Sequence, residues 1–421
     1  NFPCGKLYGA THSIKNHMKN HSPMKTISNR IQNLSESQTI AMSQKSAELK
    51  AQGKDIINLS VGQPDFHTPD HIKQGAIEAI HGNYTSYTPV PGYKDLREAI
   101  ARKLQEENGL PYTWDQVVVS SGAKHSLANA LLSLIDPGDE VIVPAPYWVS
   151  YVEQVKLAEG TNVIVPTTLE NGFKIQPEQL REAISDKTRA IILCSPSNPT
   201  GSIYTRDELR ALAEVIMQSG ANMYVISDEI YEYINFEGRH ESMAQFEDIR
   251  DRVVLINGVS KGFAMTGWRI GYMAAPPEIA RACGKLQGQV TSGACSIAQR
   301  AALTALTSDK SFTLEMNKAF QRRRDLVLDG VDQIKGMKRY TPQGAFYLFP
   351  DVSEFFGKST GEKTIENDSD LCFYLLEEAH VALVPGSAFG SPNNIRLSYA
   401  ASDQALKEAL TRMKKHLDRL R

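Results

Sequence analysis

Between residues 116 and 275, short apolar runs alternate with stretches whose apolar residues fall three or four positions apart. The runs are Gln116-Val117-Val118-Val119-Ser120, Glu140-Val141-Ile142-Val143, Val163-Ile164-Val165 and Ala190-Ile191-Ile192-Leu193. Met223-Tyr224-Val225-Ile226-Ser227, Val253-Val254-Leu255-Ile256 and Gly271-Tyr272-Met273-Ala274-Ala275 continue the series. Runs this short and this apolar predict strands buried on both faces. The spaced stretches predict helices over 94–107, 177–184 and 206–218, and another through Leu127, Leu131 and Leu134. Strand-then-helix repetition predicts an α/β fold: a mostly parallel sheet with helices on both faces.

The flanks follow a looser rhythm. A helix is expected over 31–52, ending at Gly53, then a short strand over 56–60 and a helix over 71–80. Residues 279–307 read as largely helical and 315–334 as one long helix, with Arg322-Arg323-Arg324 as a solvated face. A strand over 344–349, a polar mobile loop over 354–368 and a helix over 371–378 follow. A strand and turn over 381–386, a strand over 394–399 and an amphipathic helix over 403–421 complete the chain. No internal repeat or low-complexity tract interrupts this order.

Composition narrows the class. The 421 residues are 41% apolar and 22% charged, the balance of a water-soluble globular protein with a sizeable core. A formal net charge of −2 gives no reason to expect nucleic acid or an anionic membrane as a partner. No apolar run approaches a membrane span. Cys4, Cys194, Cys283, Cys295 and Cys372 have no metal-ligand spacing and read as reduced core thiols, hence a cytoplasmic setting. Residues 1–23 are basic and lack an apolar core, so they read as a non-native or disordered leader before Met24 rather than a secretory signal. A cleaved organellar transit segment is the alternative, against which stands its lack of arginine.

The candidate chemistry sits just past the strands. Lys261 follows the 253–256 run among Gly262, Phe263, Ala264 and Met265, a poor setting for a surface charge. A desolvated amine near other cations is a nucleophile, suited to forming an imine with an aldehyde, and Arg269 suits a nearby phosphate. The bland alternative is a solvated loop lysine and a structural arginine. Ser121-Gly122-Ala123 joins a strand to a helix N-terminus, a sound phosphate site and also a common cap. Lys124 is a cation where the helix dipole disfavours one, which asks for an anionic partner. Asp228 ends a strand at the edge where α/β sheets bind ligands, unless Asp228-Glu229 is a surface turn. Arg396, among apolar neighbours, wants a bidentate anion or a salt bridge. Gly62 lies in a turn that lets backbone approach a ligand. Tyr87 and Trp148, taken alone, read as packing.

The string Ser260-Lys261-x-Phe263-Ala264-Met265-Thr266-Gly267-Trp268-Arg269-x-Gly271 resembles the cofactor-lysine segment of class I aminotransferases, fold type I pyridoxal-phosphate enzymes. The resemblance runs from about Met24 to the C-terminus and extends to the subgroup with a substrate-binding lysine. It implies pyridoxal 5'-phosphate bound through Lys261, with Ser121, Gly122, Ala123 and Arg269 around the phosphate. It also implies Trp148 stacked on the ring, Asp228 at the ring nitrogen, and Asn198 and Tyr231 at the 3'-oxygen. Tyr87 matches a tyrosine that reaches the cofactor phosphate of a neighbouring subunit, so a homodimer with interfacial sites is implied. Arg396, Gly62 and Asn198 match the groups that hold the substrate's α-carboxylate. Lys124 matches the residue that meets a distal carboxylate, and Thr39 one that helps sort dicarboxylates. Some relatives place an arginine in the segment matching 287–292; this chain has none, which rests dicarboxylate recognition on Lys124. Cis bonds are implied before Pro146 and Pro199.

The implied organisation is an N-terminal arm over 24–72, a large cofactor-binding domain over 73–310 and a smaller α+β domain of the two terminal segments, the latter over 311–421. The implied reaction transfers an amino group between aspartate or glutamate and a 2-oxo acid. A prephenate or aromatic aminotransferase is the nearest alternative, and a carbon–sulfur β-lyase shares most cofactor residues. A cofactor-binding transcription regulator would need a DNA-binding module, for which residues 1–40 are too short and too weakly basic.

Overall fold

Alternation within each apolar run sends successive side chains to opposite faces of a sheet, and both faces need cover. The computed structural model describes residues 27–35, 38–361 and 363–421, with backbone alone for 38–41 and 43. Its main sheet has seven strands: β1 (Val117–Ser120), β2 (Glu140–Ala145), β3 (Thr161–Pro166), β4 (Thr188–Cys194), β5 (Tyr224–Asp228), β6 (Val253–Gly258) and β7 (Gly271–Ala274). The spatial order is β1-β7-β6-β5-β4-β2-β3. β7 runs antiparallel to both neighbours, and the remaining pairs are parallel. β1, β6 and β7 are buried at every position, whereas the edge strand β3 is partly exposed.

One face carries Val117, Val119, Ile191, Val225 and Leu255, packed against helices Asp70–His81, Lys94–Asn108, Arg206–Gln218 and Ser296–Thr307. The other carries Val118, Val141, Ile192, Ile226 and Val254, covered by Ala123–Leu134, Ser150–Leu157 and Pro277–Val290. The sheet is therefore the mostly parallel, doubly covered α/β sheet the pattern predicts. A further core joins the two ends of the chain: Met42, Ile56 and Leu59 pack with Phe320, Leu375, Leu406 and Leu417. There, strand Ile57–Asn58 pairs in parallel with Val381–Ala382. Ile395–Ser398 lies between Val384–Pro385 and Tyr347–Leu348, antiparallel to each.

Several expectations need correction. The expected helix over 31–52 is two, Asn29–Gln32 and Gln38–Ala51; Asn33 caps the first, and the Ser35 amide docks on Glu153 at 2.9 Å. Residues 279–307 split into Pro277–Val290 and Ser296–Thr307, where Ser292 turns left-handed (φ 65°) and Gly293 packs on Thr88. The strand over 344–349 shrinks to Tyr347–Leu348 because Ala345 is left-handed (φ 55°). The loop over 354–368 is pinned by buried Phe355 and Ile365 and by a bridge between Ser359 and Thr364.

The arginine triplet is not a solvated face. Only Arg322 is exposed; Arg323 is buried, its guanidinium bidentate on Asp65 at 2.7 and 3.0 Å, and Arg324 lies over the Phe236 ring. Cys295 is exposed rather than a core thiol, because it sits at the N-cap of helix Ser296–Thr307. Helix Ser150–Leu157 was not expected at all. The peptide bonds before Pro146 and Pro199 are cis, as is that before Pro196. Residues 1–23 lie outside the described residues.

Candidate active site

Parallel strands deliver their C-terminal ends to one edge, and residues distant in sequence meet there. β4 leads to Asn198, β5 ends on Asp228, and β6 leads to Ser260-Lys261. The second core adds Gly62, Tyr347 and Arg396. Between them lies a cavity of about 380 Å³, lined by Gly62, Ala123, Lys124, Trp148, Asn198, Asp228, Tyr231, Lys261, Arg269 and Arg396 among others.

Lys261 Nζ donates to the Gly62 carbonyl at 2.5 Å and stands 5.6 and 5.8 Å from the Tyr231 and Phe346 ring centres. Burial, then the charges of Arg396, Arg269 and Lys124, bring its amine from the usual 10.5 down to about 7; Asp228 pulls the other way. A lysine in this state carries a substantial neutral fraction near pH 7 and is a competent nucleophile and base.

Asp228 is 5% exposed. Burial pushes its carboxyl up to about 6, against the opposing pull of a Tyr151 phenol that donates to Oδ2 at 2.6 Å and an Ile230 amide at 3.3 Å from Oδ1. Arg396, 2% exposed, donates to Asn198 Oδ1 at 2.9 Å and to the Ser60 carbonyl at 2.7 Å. Among the described residues its Nε meets no acceptor, and its guanidinium lies between Tyr347 and Phe389, 4.6 and 4.9 Å from their ring centres. Tyr231 and Tyr347 share a hydroxyl–hydroxyl bond of 2.8 Å.

On the other wall, Gly122 caps helix Ala123–Leu134 at φ 89°. A Cβ there would sit 2.2 Å from Arg269 Nη2, so only glycine lets this guanidinium reach the helix N-terminus. Arg269 is itself left-handed (φ 57°), steadied by Nη1 on the Thr266 carbonyl at 2.9 Å. Lys124 Nζ lies 4.8 Å from the centre of the Trp148 ring, its pKa lowered by desolvation and then by Arg269.

Of the expected residues, Ser121 and Gly122 stand behind this wall rather than lining the cavity. Ser121 is exposed, its amide donating to His125 Nδ1 at 3.2 Å. Tyr87 is 96% exposed and far from half-buried packing. Thr39 falls in helix Gln38–Ala51, but its side chain lies outside the described residues. Tyr151, Tyr347, Gln63 and Ser260 line the cavity without having been singled out. Tyr151 lies three residues after Trp148, in the first turn of a short helix that the sequence pattern did not show.

The cavity lining holds four basic side chains against one carboxylate, an environment for an anion or several. Pyridoxal phosphate fits these groups. A helix N-terminus and Arg269 would suit its phosphate, Asp228 its ring nitrogen and Lys261 its aldehyde, and Arg396 Nε, without an acceptor among the described residues, leaves a donor for a carboxylate.

A second polar cluster lies behind the end of β5. Glu229 Oε1 accepts from Ser227 and Ser242 at 2.8 and 2.6 Å, and its Oε2 meets His240 Nε2 at 2.9 Å. Glu232 pairs with Lys103 and accepts from Asn108 at 3.1 Å. Burial alone would raise the Glu232 carboxyl, yet Lys103 and His240 hold it below the usual range. For His240, burial is likewise outweighed, by Glu229, and its pKa rises.

Residues 54–413 match the family model for aminotransferase class I and II. The aspartate/prephenate aminotransferase of Cereibacter sphaeroides is 49% identical over 93% of this chain and 98% of its own length. The probable aspartate/prephenate aminotransferase of Rhizobium leguminosarum bv. phaseoli is 48% identical over 90% and 95%. Among solved structures, the aspartate aminotransferase from Rhizobium meliloti superposes with a TM-score of 0.91 at 44% identity, covering 94% of this chain and all of that one. The Thermus thermophilus aspartate aminotransferase with maleate gives 0.88 at 41%, covering 93% and 100%.

Proposed function

The chain belongs to the class I and II aminotransferases, and from that premise we propose that it moves the amino group between aspartate or glutamate and a 2-oxo acid by a two-stage exchange. The observation that carries this reading is a partly desolvated Lys261 amine in a cavity whose other ionic groups are three cations and Asp228. Pyridoxal phosphate, when bound, supplies an aldehyde for the amino group and a ring that draws off the electrons released at the substrate's α-carbon.

Lys261 anchors that aldehyde and, once released, carries the substrate's α-proton on Nζ. Asp228 offers its carboxylate to the ring nitrogen, and Trp148 covers one ring face. Asn198 and the Tyr231 hydroxyl face the 3'-oxygen. Arg269 and the helix N-terminus at Ala123 hold the phosphate, and Ser121 and Gly122 are assigned to the same cup by resemblance. Arg396 grips the α-carboxylate, with Asn198 and the Gly62 backbone beside it. Lys124 meets the distal carboxylate of a four- or five-carbon diacid, and Thr39 is assigned to the sorting of dicarboxylates by resemblance alone. The relative that binds maleate, a four-carbon diacid, supports this choice.

A second amino acceptor is prephenate, favoured by the two dual-named relatives at 48% and 49% identity. Tyr87, 96% exposed, is assigned to the phosphate of a neighbouring subunit, which makes the working unit a homodimer. The division into an arm over 24–72, a large domain over 73–310 and a small one over 311–421 is part of the same reading. A cytoplasmic setting fits the free thiols, and no helix among the described residues is long and apolar enough to cross a membrane.

The test is turnover by the purified, cofactor-loaded protein. Aspartate with 2-oxoglutarate should give oxaloacetate and glutamate; aspartate with prephenate reads the second activity. Release of pyruvate and ammonia from cystathionine, without amino transfer, would replace this reading with a lyase.

A further inference from the structure

Two side chains of helix Ser150–Leu157 and its entry meet the cavity one helical turn apart. Trp148 lies along its wall, and Tyr151 sits beneath, 2% exposed, its ring edge-on to Trp148 at 5.5 Å and 87°. The Tyr151 amide donates to the Trp148 carbonyl at 2.9 Å, which fixes this spacing. Tyr151 packs with Leu127, Val143 and Ile192 against the sheet, so its ring has little freedom to leave.

Its hydroxyl donates to Asp228 Oδ2 at 2.6 Å. The neighbouring Cys194 thiol is turned to the Pro196 carbonyl at 3.4 Å, so it does not take the carboxylate in the phenol's place. Among the described residues Asp228 Oδ1 accepts only the longer Ile230 amide, at 3.3 Å. A buried carboxylate held by one short and one long hydrogen bond can present its less committed oxygen to a further donor.

We infer that Tyr151 is a positioning residue for Asp228, locking one carboxylate oxygen and leaving the other to serve the ring nitrogen of the bound cofactor. The inference rests on the reading of Asp228 given above. It extends that reading to a residue outside the expected site, on a helix absent from the sequence pattern.

The electrostatics agree. Burial raises the Asp228 carboxyl, Glu229 adds to the rise, and Tyr151, the Ile230 amide and Lys261 oppose it; Cys194 is the other titratable neighbour. Without the phenol the carboxylate becomes a stronger base and competes for the ring proton. The ring nitrogen then spends more of its time unprotonated, and the ring draws electrons less well.

The experiment uses holoenzyme loaded with pyridoxal phosphate carrying ¹⁵N in the ring. In Tyr151→Phe the ring-nitrogen resonance should move toward the unprotonated position. Its kcat should fall about tenfold, the scale of one hydrogen bond to a charged group. KM for aspartate should stay within about twofold, because the phenol touches no substrate group. An unmoved resonance beside a protonated parent overturns the inference alone. A parent resonance already in the unprotonated range overturns the reading of Asp228, and the inference with it. Should Tyr151→Phe fail to load cofactor, 3,5-difluorotyrosine in place of Tyr151 keeps the shape and sharpens the donor. A displaced resonance there supports the inference and an unmoved one overturns it.

Discussion

Two polar clusters flank the end of β5, one buried and one lining an open cavity, and they are built on opposite principles. Behind the strand, Lys103 meets Glu232, His240 meets Glu229, and hydroxyls fill further acceptor sites. In front, Lys261, Arg269, Arg396 and Lys124 line one cavity with the carboxylate of Asp228, and among the described residues Arg396 Nε has no acceptor. Buried charges that have found partners hold a structure together; cations brought together with too few partners await an anion. The same strand end thus divides scaffold from reaction site, and Asp228 and Glu229, adjacent in sequence, serve one side each.

Substitutions on the two sides should fail differently. Lys261→Ala should abolish the visible absorption of the bound cofactor and lower turnover by on the order of 10⁴-fold, the upper range for a lost proton carrier, with the fold intact by circular dichroism. Lys103→Ala leaves Glu232 buried without its cation. Urea unfolding should show a loss of about 3–5 kcal/mol, while kcat of the folded fraction holds. If Lys103→Ala is no less stable than the parent, the division between the clusters collapses.

A third substitution tests the crowding of cations directly. The Lys261 amine in the cofactor-free protein titrates near 7, below its unfolded 10.5. Between those values the unfolded chain binds the proton and the folded one does not, so this group's contribution to stability falls as pH drops from 10.5 toward 7 and levels off below. Cofactor-free Lys261→Met should therefore exceed the parent by about 2 kcal/mol at neutral pH, a figure discounted because the cavity opens to water. The advantage should vanish above pH 10.5 in thermal melts across pH. The smallest effect is the most selective. Lys124→Ala should raise KM for aspartate about tenfold, one exposed charge-assisted contact, and leave a monocarboxylic amino donor unchanged. Equal kinetics with aspartate would remove Lys124 from its assigned role.

Legibility from sequence tracked the distance over which a residue's surroundings are decided. Helix Arg206–Gln218 was read to the residue because Thr205 and Glu208 form its capping box and its apolar stripe is continuous. The buried strands announced themselves by composition alone. Lys261 and Arg269 share one motif, so both were visible. Arg323 was misread because its partner Asp65 lies 258 positions away, and no local pattern distinguishes a buried arginine from a solvated one. Tyr151 went unseen because the turn after Pro144-Ala145-Pro146 hides a helix of only eight residues. Tyr347 was passed over inside a run that looked like plain core.

Arg396 reaches the site from strand Ile395–Ser398, within the last stretch of the chain, and is the nearest cause after burial of the change in Lys261. Lys261 and Arg396 lie more than a hundred positions apart and meet only where Ile395–Ser398 docks beside Tyr347–Leu348. The weakened basicity of the amine therefore belongs to the assembled tertiary structure and not to the motif that carries the lysine; unfolding returns it to an ordinary ammonium.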